Sequence, residues 1–529
     1  MRIVLFIFTF LVSKILISQS TFNSSYTLPS GPLTFRSVNI GPDGFLVSGT
    51  YSDTTNSGFI GLSIFSLSHD GELQTHQEFG SETREFLGIG HSMSYLSDQF
   101  IHQCTGQVND TMYSEIIWYT NLTDTLQTIK YQSHHLGEGF ENDENIQTIY
   151  AVLNPDSSVY MSNVVWGETT FNDASLQKLD KYGNTLWIYD HATMSDPDRI
   201  RGVVMASEGV ICSIQESGYT GTPTNHAIIK LNNDGELVWQ INSSDFLPGT
   251  QLQGTIVLDD NAIVVSSSFE EPGLEGVYSI ASVYKVDTLG NLIWHTTYGE
   301  YNDYAWRDFT NIVQTTDNNY VAAGTWKTIP GSEEIPEGQT SVDYDEFAYV
   351  VKFDREDGSI IWDRKYRWLE VYRDNHTLRD MKATPDGGVI FCGEVQDLYM
   401  QQFEDFSQRG WVVKLDECGC LVPGCDTLCT DIGVREQSGV LPLLLSPNPA
   451  SDMLNVHVGD YSLSKGRDAM HGASALQIID LSGRIVSTHR IPANNTTYMM
   501  RVDELPAGNY VVRLMNDGRV AATGTVVVM

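Results

Sequence analysis

One phrase recurs along most of this chain: apolar–Lys–apolar–Asp, a short turn carrying Gly, then Trp. It reads Lys178-Leu179-Asp180 with Gly183 and Trp187, then Lys230-Leu231-Asn232 with Gly235 and Trp239. It returns as Lys285-Val286-Asp287 with Gly290 and Trp294, and as Lys352-Phe353-Asp354 with Gly358 and Trp362. A fifth copy, Lys414-Leu415-Asp416 to Gly419, lacks the Trp. Successive turn glycines lie 52–68 residues apart. A strand-rich unit of that length cannot bury its apolar face alone, so the copies must pack on one another in an array.

Each copy reads as a hairpin, with alternating apolar residues on either side of an Asp/Asn-Gly turn. A second hairpin precedes each one. Its turns centre on Pro42-Asp43-Gly44, Ser97-Asp98, Pro155-Asp156, Glu208-Gly209, Asp259-Asp260-Asn261, Asp317-Asn318-Asn319 and Pro385-Asp386-Gly387. Two hairpins make a four-stranded unit. The step from Gly71 to Gly183 is about two periods, so it holds one decayed copy near Trp118-Tyr119-Thr120. The pattern therefore predicts an all-β fold, a seven-bladed β-propeller of four-stranded blades over residues 21–429. A straight solenoid is the alternative, but twisted blades with exposed edges favour closure. The last blade is one strand short, and the unassigned alternating segment 21–28 is expected to complete it.

The N-terminus reads as a secretory signal peptide over residues 1–20: Arg2, an apolar run from Ile3 to Ile17, then small and polar residues. A signal anchor is the alternative. No other segment has the length and apolarity of a transmembrane helix. The net charge is −36, yet from Leu443 onward acidic and basic residues balance at seven each, so the excess lies in the repeats. Such a surface repels nucleic acid and anionic lipid and excludes them as partners.

Cys104, Cys212 and Cys392 fall in the second strands of different blades, where they read as small buried apolar residues. Cys418, Cys420, Cys425 and Cys429 cluster where the chain leaves the array. Four thiols so close suit either zinc or disulfides. The expectation is disulfides stapling the exit, as for an exported chain, with the pairing open.

Residues 430–445 read as a linker, and 446–529 as a small Ig-like β-sandwich of short hairpins. Its signals are Pro447-Asn448-Pro449, the turn Asp480-Leu481-Ser482-Gly483-Arg484, and Leu505-Pro506-Ala507-Gly508-Asn509-Tyr510. These three motifs, in this order, resemble the C-terminal (type A) sorting domain of type IX secretion cargo from Bacteroidota. The resemblance implies export through the inner membrane, passage across the outer membrane by the type IX machinery, and a secreted or outer-surface location. Residues 460–475 look like an insertion relative to that family. The repeats themselves are similar to secreted bacterial propellers that share an architecture and no common activity.

Three positions carry a candidate site. Arg36, Arg201 and Arg379 each lie seven residues before the acidic residue of a first-hairpin turn, so they enter at one rim. Their forked guanidinium groups suit an anion-binding mouth, and pairing with nearby acids such as Asp196, Asp198 and Asp380 is the structural alternative. Residues 363–380 read as a loop bearing Tyr366, Trp368, Tyr372 and His376, with Tyr366 and Trp368 as candidates for glycan or protein contact. The acidic loop 328–347 is a calcium candidate; no other cofactor or metal set is assigned. The repeated Trp residues read as packing between blades. A quinoprotein or a sialidase reading lacks the residues either chemistry requires. Taken together, the sequence reads as an exported binding or adhesion module. A polysaccharide-active hydrolase or lyase working in the channel is the alternative, with no catalytic residue assigned.

Overall fold

The computed structural model describes residues 20–86, 93–131, 145–299, 308–422 and 441–528. Within those spans it leaves aside 42, 55–57, 97–98, 109–110, 120–126, 167–172, 192–197, 217–225, 270–279, 329–344, 370–373, 398–407, 458–474, 481–484, 492–496, 504 and 517–518, and the side chains of 87–150, 164–166, 173, 198, 216, 251–253, 328, 345, 441–442, 444, 480, 515–516 and 519–523. The leader, His134-His135, most of the acidic loop, Cys425, Cys429 and Gly483 lie outside the described residues, as does the side chain of Cys104. The chain divides into two compact units, 1–431 and 432–529.

The first unit is built of antiparallel sheets, seven of them among the described residues; strands follow chain order in five, while the second carries Met93–Leu96 beside its path and the seventh takes its outer strand from Phe22–Tyr26. They span 33–79, 85–131, 145–191, 198–242, 250–298, 311–366 and 374–415. Each packs on the next, and the first packs back on the seventh through Leu33–Gly41 against Asp374–Ala383 and Val389–Asp397. The first strands of neighbouring sheets meet one another, which places them innermost around the ring axis. This is a propeller.

The repeated phrase explains itself in contacts. The Asp or Asn after the Lys folds back on its own turn: Oδ1 of Asp180, Asn232, Asp287 and Asp416 each accepts two backbone N–H groups from the turn that follows. The Lys reaches across its sheet to the acid of the preceding hairpin turn. Lys285 Nζ lies 2.6 Å from Asp259, Lys352 Nζ 2.8 Å from Asp317 and Lys414 Nζ 2.9 Å from Asp386. All three lysines are buried, so the pairing is what makes their burial tolerable.

The Trp serves the neighbouring sheet. The indole N–H of Trp187 donates to Asn233 O at 2.8 Å, that of Trp294 to Arg355 O at 3.3 Å and that of Trp362 to Glu417 O at 3.1 Å. Each ring lies under the turn glycine of the following sheet. A Cβ on Gly235, Gly358 or Gly419 would stand 2.5–2.8 Å from that Trp (for Gly358 also from Thr296), and all three glycines have positive φ. Repeat therefore docks onto repeat through one indole and one bare turn.

At the seam the missing fifth Trp is supplied from the other end of the chain. Strand Phe22–Tyr26 pairs antiparallel with Arg409–Leu415, completing the seventh sheet as expected from segment 21–28. Phe22 lies opposite Lys414, the register that Trp294 holds to Lys285 and Trp362 to Lys352. Its ring lies 2.6 Å from where a Cβ on Gly71 would stand. Tyr26, four residues on, donates its hydroxyl to Gly71 O at 2.5 Å, as Tyr298 does to Gly358 O and Tyr366 to Gly419 O. The N-terminal strand is a displaced copy of the repeat's fourth strand.

The second unit packs a five-stranded sheet against a three-stranded one around Leu454, Val456, Leu476, Ile478, Met500, Tyr510, Val512 and Val526. The Pro-Asn-Pro entry has cis bonds before Pro447 and Pro449. Asn448 between them pins the last strand, donating to Thr525 O and accepting from Val527 N, both at 2.9 Å. Tyr510 donates to Pro506 O at 2.7 Å, which fixes the Leu-Pro-x-Gly-x-Tyr corner. Gly508 within that motif opens the strand Gly508–Asn516 and has no positive φ.

Candidate functional site

The innermost strands are irregular in a consistent way. The pairing of Leu33–Gly41 with Gly44–Ser52 slips between Phe35 and Ser37, so Arg36 is the surplus residue of a β-bulge. The fourth sheet slips between Ile200 and Gly202, around Arg201, and the seventh between Leu378 and Asp380, around Arg379. A bulge bends the strand and re-aims one side chain, and here all three candidate arginines are the re-aimed residues. Opposite two of these bulges the second strand comes so close that Gly49 and Gly393 are required. A Cβ on either would lie 1.9 Å from an inner-strand carbonyl, Thr34 O or Thr377 O.

The ring brings two of the three together. Arg36 and Arg379 lie on adjacent inner strands across the seam; burial disfavours the charged form of Arg36, and the neighbouring Arg379 charge adds to it. Arg201 stands in the fourth sheet, apart from them. Arg379 Nη2 lies 2.6 Å from Glu394 Oε1. Burial pushes the Glu394 carboxyl up, but Arg379 and Arg36 outweigh it and hold the group below the ordinary carboxylate range. Gln408 links this cluster to the first sheet, with Nε2 2.6 Å from Thr34 Oγ1 and 3.3 Å from Glu394 Oε2.

Of the expected alternative partners for the arginines, Asp196 and the side chain of Asp198 lie outside the described residues. Asp380 is buried, but it takes Ser37 Oγ at 2.9 Å, Val38 N at 3.0 Å and Lys382 Nζ at 2.7 Å, and so ties the first sheet to the seventh. Arg379 pairs with Glu394 instead, and Arg201 Nε donates to Gln215 Oε1 at 2.8 Å. Glu394 and Gln408 were not legible as partners. The available signal for Glu394 was its place directly after the small residue of a second strand.

The segment 363–380 is also not one loop. Residues up to Tyr366 finish the sixth sheet, and Asp374–Ala383 is the inner strand of the seventh. Tyr366 is buried, its hydroxyl spent on Gly419, which removes it from any contact surface. Trp368 is 40 % exposed and remains available, while Tyr372 lies outside the described residues. His376 is fully buried and organises the turn displaying Trp368. Its Nε2 accepts from Trp368 N at 2.9 Å and Leu369 N at 3.0 Å, and its Nδ1 donates to Glu346 O at 2.9 Å.

Both ring nitrogens are committed in the neutral form, with Asp374 3.9 Å away. Burial therefore pushes the His376 pKa down to about 4. A histidine that is neutral when folded and titrates normally when unfolded contributes stability above pH 6.5, lost as the pH falls toward 4. The expected loss across that window is at most about 3 kcal/mol. Burial lowers His295 as well, and carboxylates held low such as Glu394 also lose stability as the pH nears 4, so the difference between the wild type and a His376 variant reports His376. Melting curves of the wild type and His376→Gln between pH 7 and 4 check this; parallel curves would refute it.

No curated protein matches this chain. Among solved structures, the chain is similar to Drosophila Semaphorin 2a, at 9 % identity over 96 % of this chain and 97 % of that one, with a TM-score of 0.44. The phage phi92 endosialidase gives 8 % identity over 96 % and 87 %, with a TM-score of 0.39. The WD40 domain of SCAP from fission yeast gives 9 % over 75 % and 99 %, with a TM-score of 0.34. Identities and scores this low carry nothing from those proteins to this one. The C-terminal unit is different. Its three motifs form the packed corners described above, and residues 445–529 match the family model of the secretion system C-terminal sorting domain. That unit belongs to this family, and it marks the chain as type IX secretion cargo, exported to the cell surface or beyond.

Proposed function

We propose that the protein is an exported binding or adhesion module, a closed propeller that displays ligand-contacting groups and is carried out by its C-terminal unit. The observation that carries this reading is the join of a ring-closed scaffold to a sorting domain: one supplies a rigid platform, the other an address. Trp368 and the arginines at the inner-strand bulges are the groups offered for contact. The leader at 1–20 starts export, and disulfides involving Cys418 and Cys420 staple the exit beside the seam. Supporting the staple, Cys418 and Cys420 are both buried, and the backbone N–H groups of both donate to Asp416 Oδ1. Calcium in the acidic loop is proposed as an accessory ion.

The test is a screen of the purified full chain against a glycan array and extracellular-matrix proteins, with calcium and with chelator. Saturable binding of one class, with the polymer left intact, is the expected result. Shortened glycan products would replace this reading with the hydrolase or lyase. An absence of binding under both conditions would end it.

A further inference from the structure

At the Arg36–Arg379 pair, donors outnumber acceptors in a largely buried place. Two guanidinium groups share one carboxylate, Glu394, whose Oε1 is taken by Arg379 and whose Oε2 receives Gln408. Among the described residues neither Arg36 Nε nor Arg379 Nε has a hydrogen-bond partner, and both atoms are buried. A buried donor without an acceptor is costly, so a fold keeps one where something else completes it.

Comparison of the three bulges shows why Arg36 is left over. In the fourth sheet Gln215 stands across from Arg199, two residues before Arg201, and satisfies that arginine. In the seventh, Glu394 stands across from Thr377, two residues before Arg379, and does the same. In the first sheet the matching place, across from Thr34, holds Thr50, whose side chain is too short to reach. The scaffold provides a partner at two bulges and omits it at the third.

We propose that Arg36 and Arg379 bind the carboxylate of an otherwise uncharged organic acid, a sugar acid, completing the cluster; this deepens the binding-module reading and rests on it. The counts favour one negative charge: two arginines against Glu394 leave a surplus of one. A chain of net charge −36 repels polyanions and dianions over longer range, which selects against polymeric acids and phosphate. The planar fork of arginine matches the two oxygens of a carboxylate.

The test is calorimetric titration of the full chain with sodium glucuronate, against glucose and inorganic phosphate at equal low ionic strength. Glucuronate binds and glucose does not; phosphate is at least tenfold weaker. Arg36→Gln weakens glucuronate at least tenfold. Glu394→Gln, which removes the competing carboxylate, tightens it about tenfold, a direction that mere structural damage would not give. The proposal is overturned by no glucuronate binding, by phosphate binding as well or better, or by an Arg36→Gln chain that melts normally and binds unchanged. Should Arg36→Gln fail to fold, Glu394→Gln decides: unchanged or weaker binding overturns the site. A ligand found on the arrays that glucuronate does not displace would sink this site and leave the binding module standing.

Discussion

Replacing Phe22 and Tyr26 together with alanine is expected to open the ring and cost more than any other paired change of surface-strand residues. Phe22 sits in the core shared by the first and seventh sheets, with Phe45, Val47, Phe65 and Val412. Truncating a buried aromatic costs about 3–5 kcal/mol, and the Tyr26 hydroxyl adds a hydrogen bond to Gly71 O. Against the 5–15 kcal/mol that typically separates folded from unfolded protein, the double variant is expected to lose cooperative melting or to melt many degrees lower. The control is Leu289→Ala, at a side chain 84 % exposed, which should shift nothing. Deleting residues 21–28 should reproduce the loss. An unchanged melting temperature in the double variant would show that the seam does not hold the ring.

The second large effect is expected at Asp259. Its carboxylate receives Lys285 Nζ at 2.6 Å, Arg355 Nη2 at 2.8 Å and the Tyr320 hydroxyl, and so couples the fifth sheet to the sixth. Burial pushes the carboxyl up, but these three partners outweigh it and hold the pKa below its ordinary value. Asp259→Asn keeps the shape and removes the charge, leaving Lys285 buried without its counter-ion. Such half-broken pairs cost about 3–5 kcal/mol. Asp260→Asn next to it removes an exposed acid 3.3 Å from Arg355 and should cost no more than about 1 kcal/mol, as exposed pairs do. Chemical denaturation of the two variants side by side gives the comparison. Equal losses would mean that Lys285 is solvated when its partner is gone.

The array was legible because its parts are local. The turn Asp, the turn Gly and the following Trp act within one hairpin or on the next, so each leaves a residue-type signal at fixed spacing. In the sorting domain Tyr510 was legible for the same reason, closing its corner on Pro506 four residues back, whereas Asn448 reaches Thr525 and Val527 from the other end of the unit. The site was less so. A bulge is a slip in backbone pairing and demands no residue type at the surplus position, so the sequence placed Arg36, Arg201 and Arg379 at one level without revealing why. Their partners lie on another strand, and the one signal for Glu394, its place directly after the small residue Gly393, does not say which arginine it meets. The inner strand Asp374–Ala383 reads as loop because its buried positions include Asp374, His376 and Asp380, which break the apolar alternation that marks a half-buried strand.

The position of Phe22 opposite Lys414 has a consequence for how the molecule comes into being. Synthesis delivers the first partner of that pairing nearly four hundred residues before the second, so the ring is finished by a contact between the two ends of its sequence. Until then, Arg409–Leu415 presents an open edge that another chain's N-terminal strand could occupy. The chain thus has one vulnerable interval, and it comes at the end of assembly.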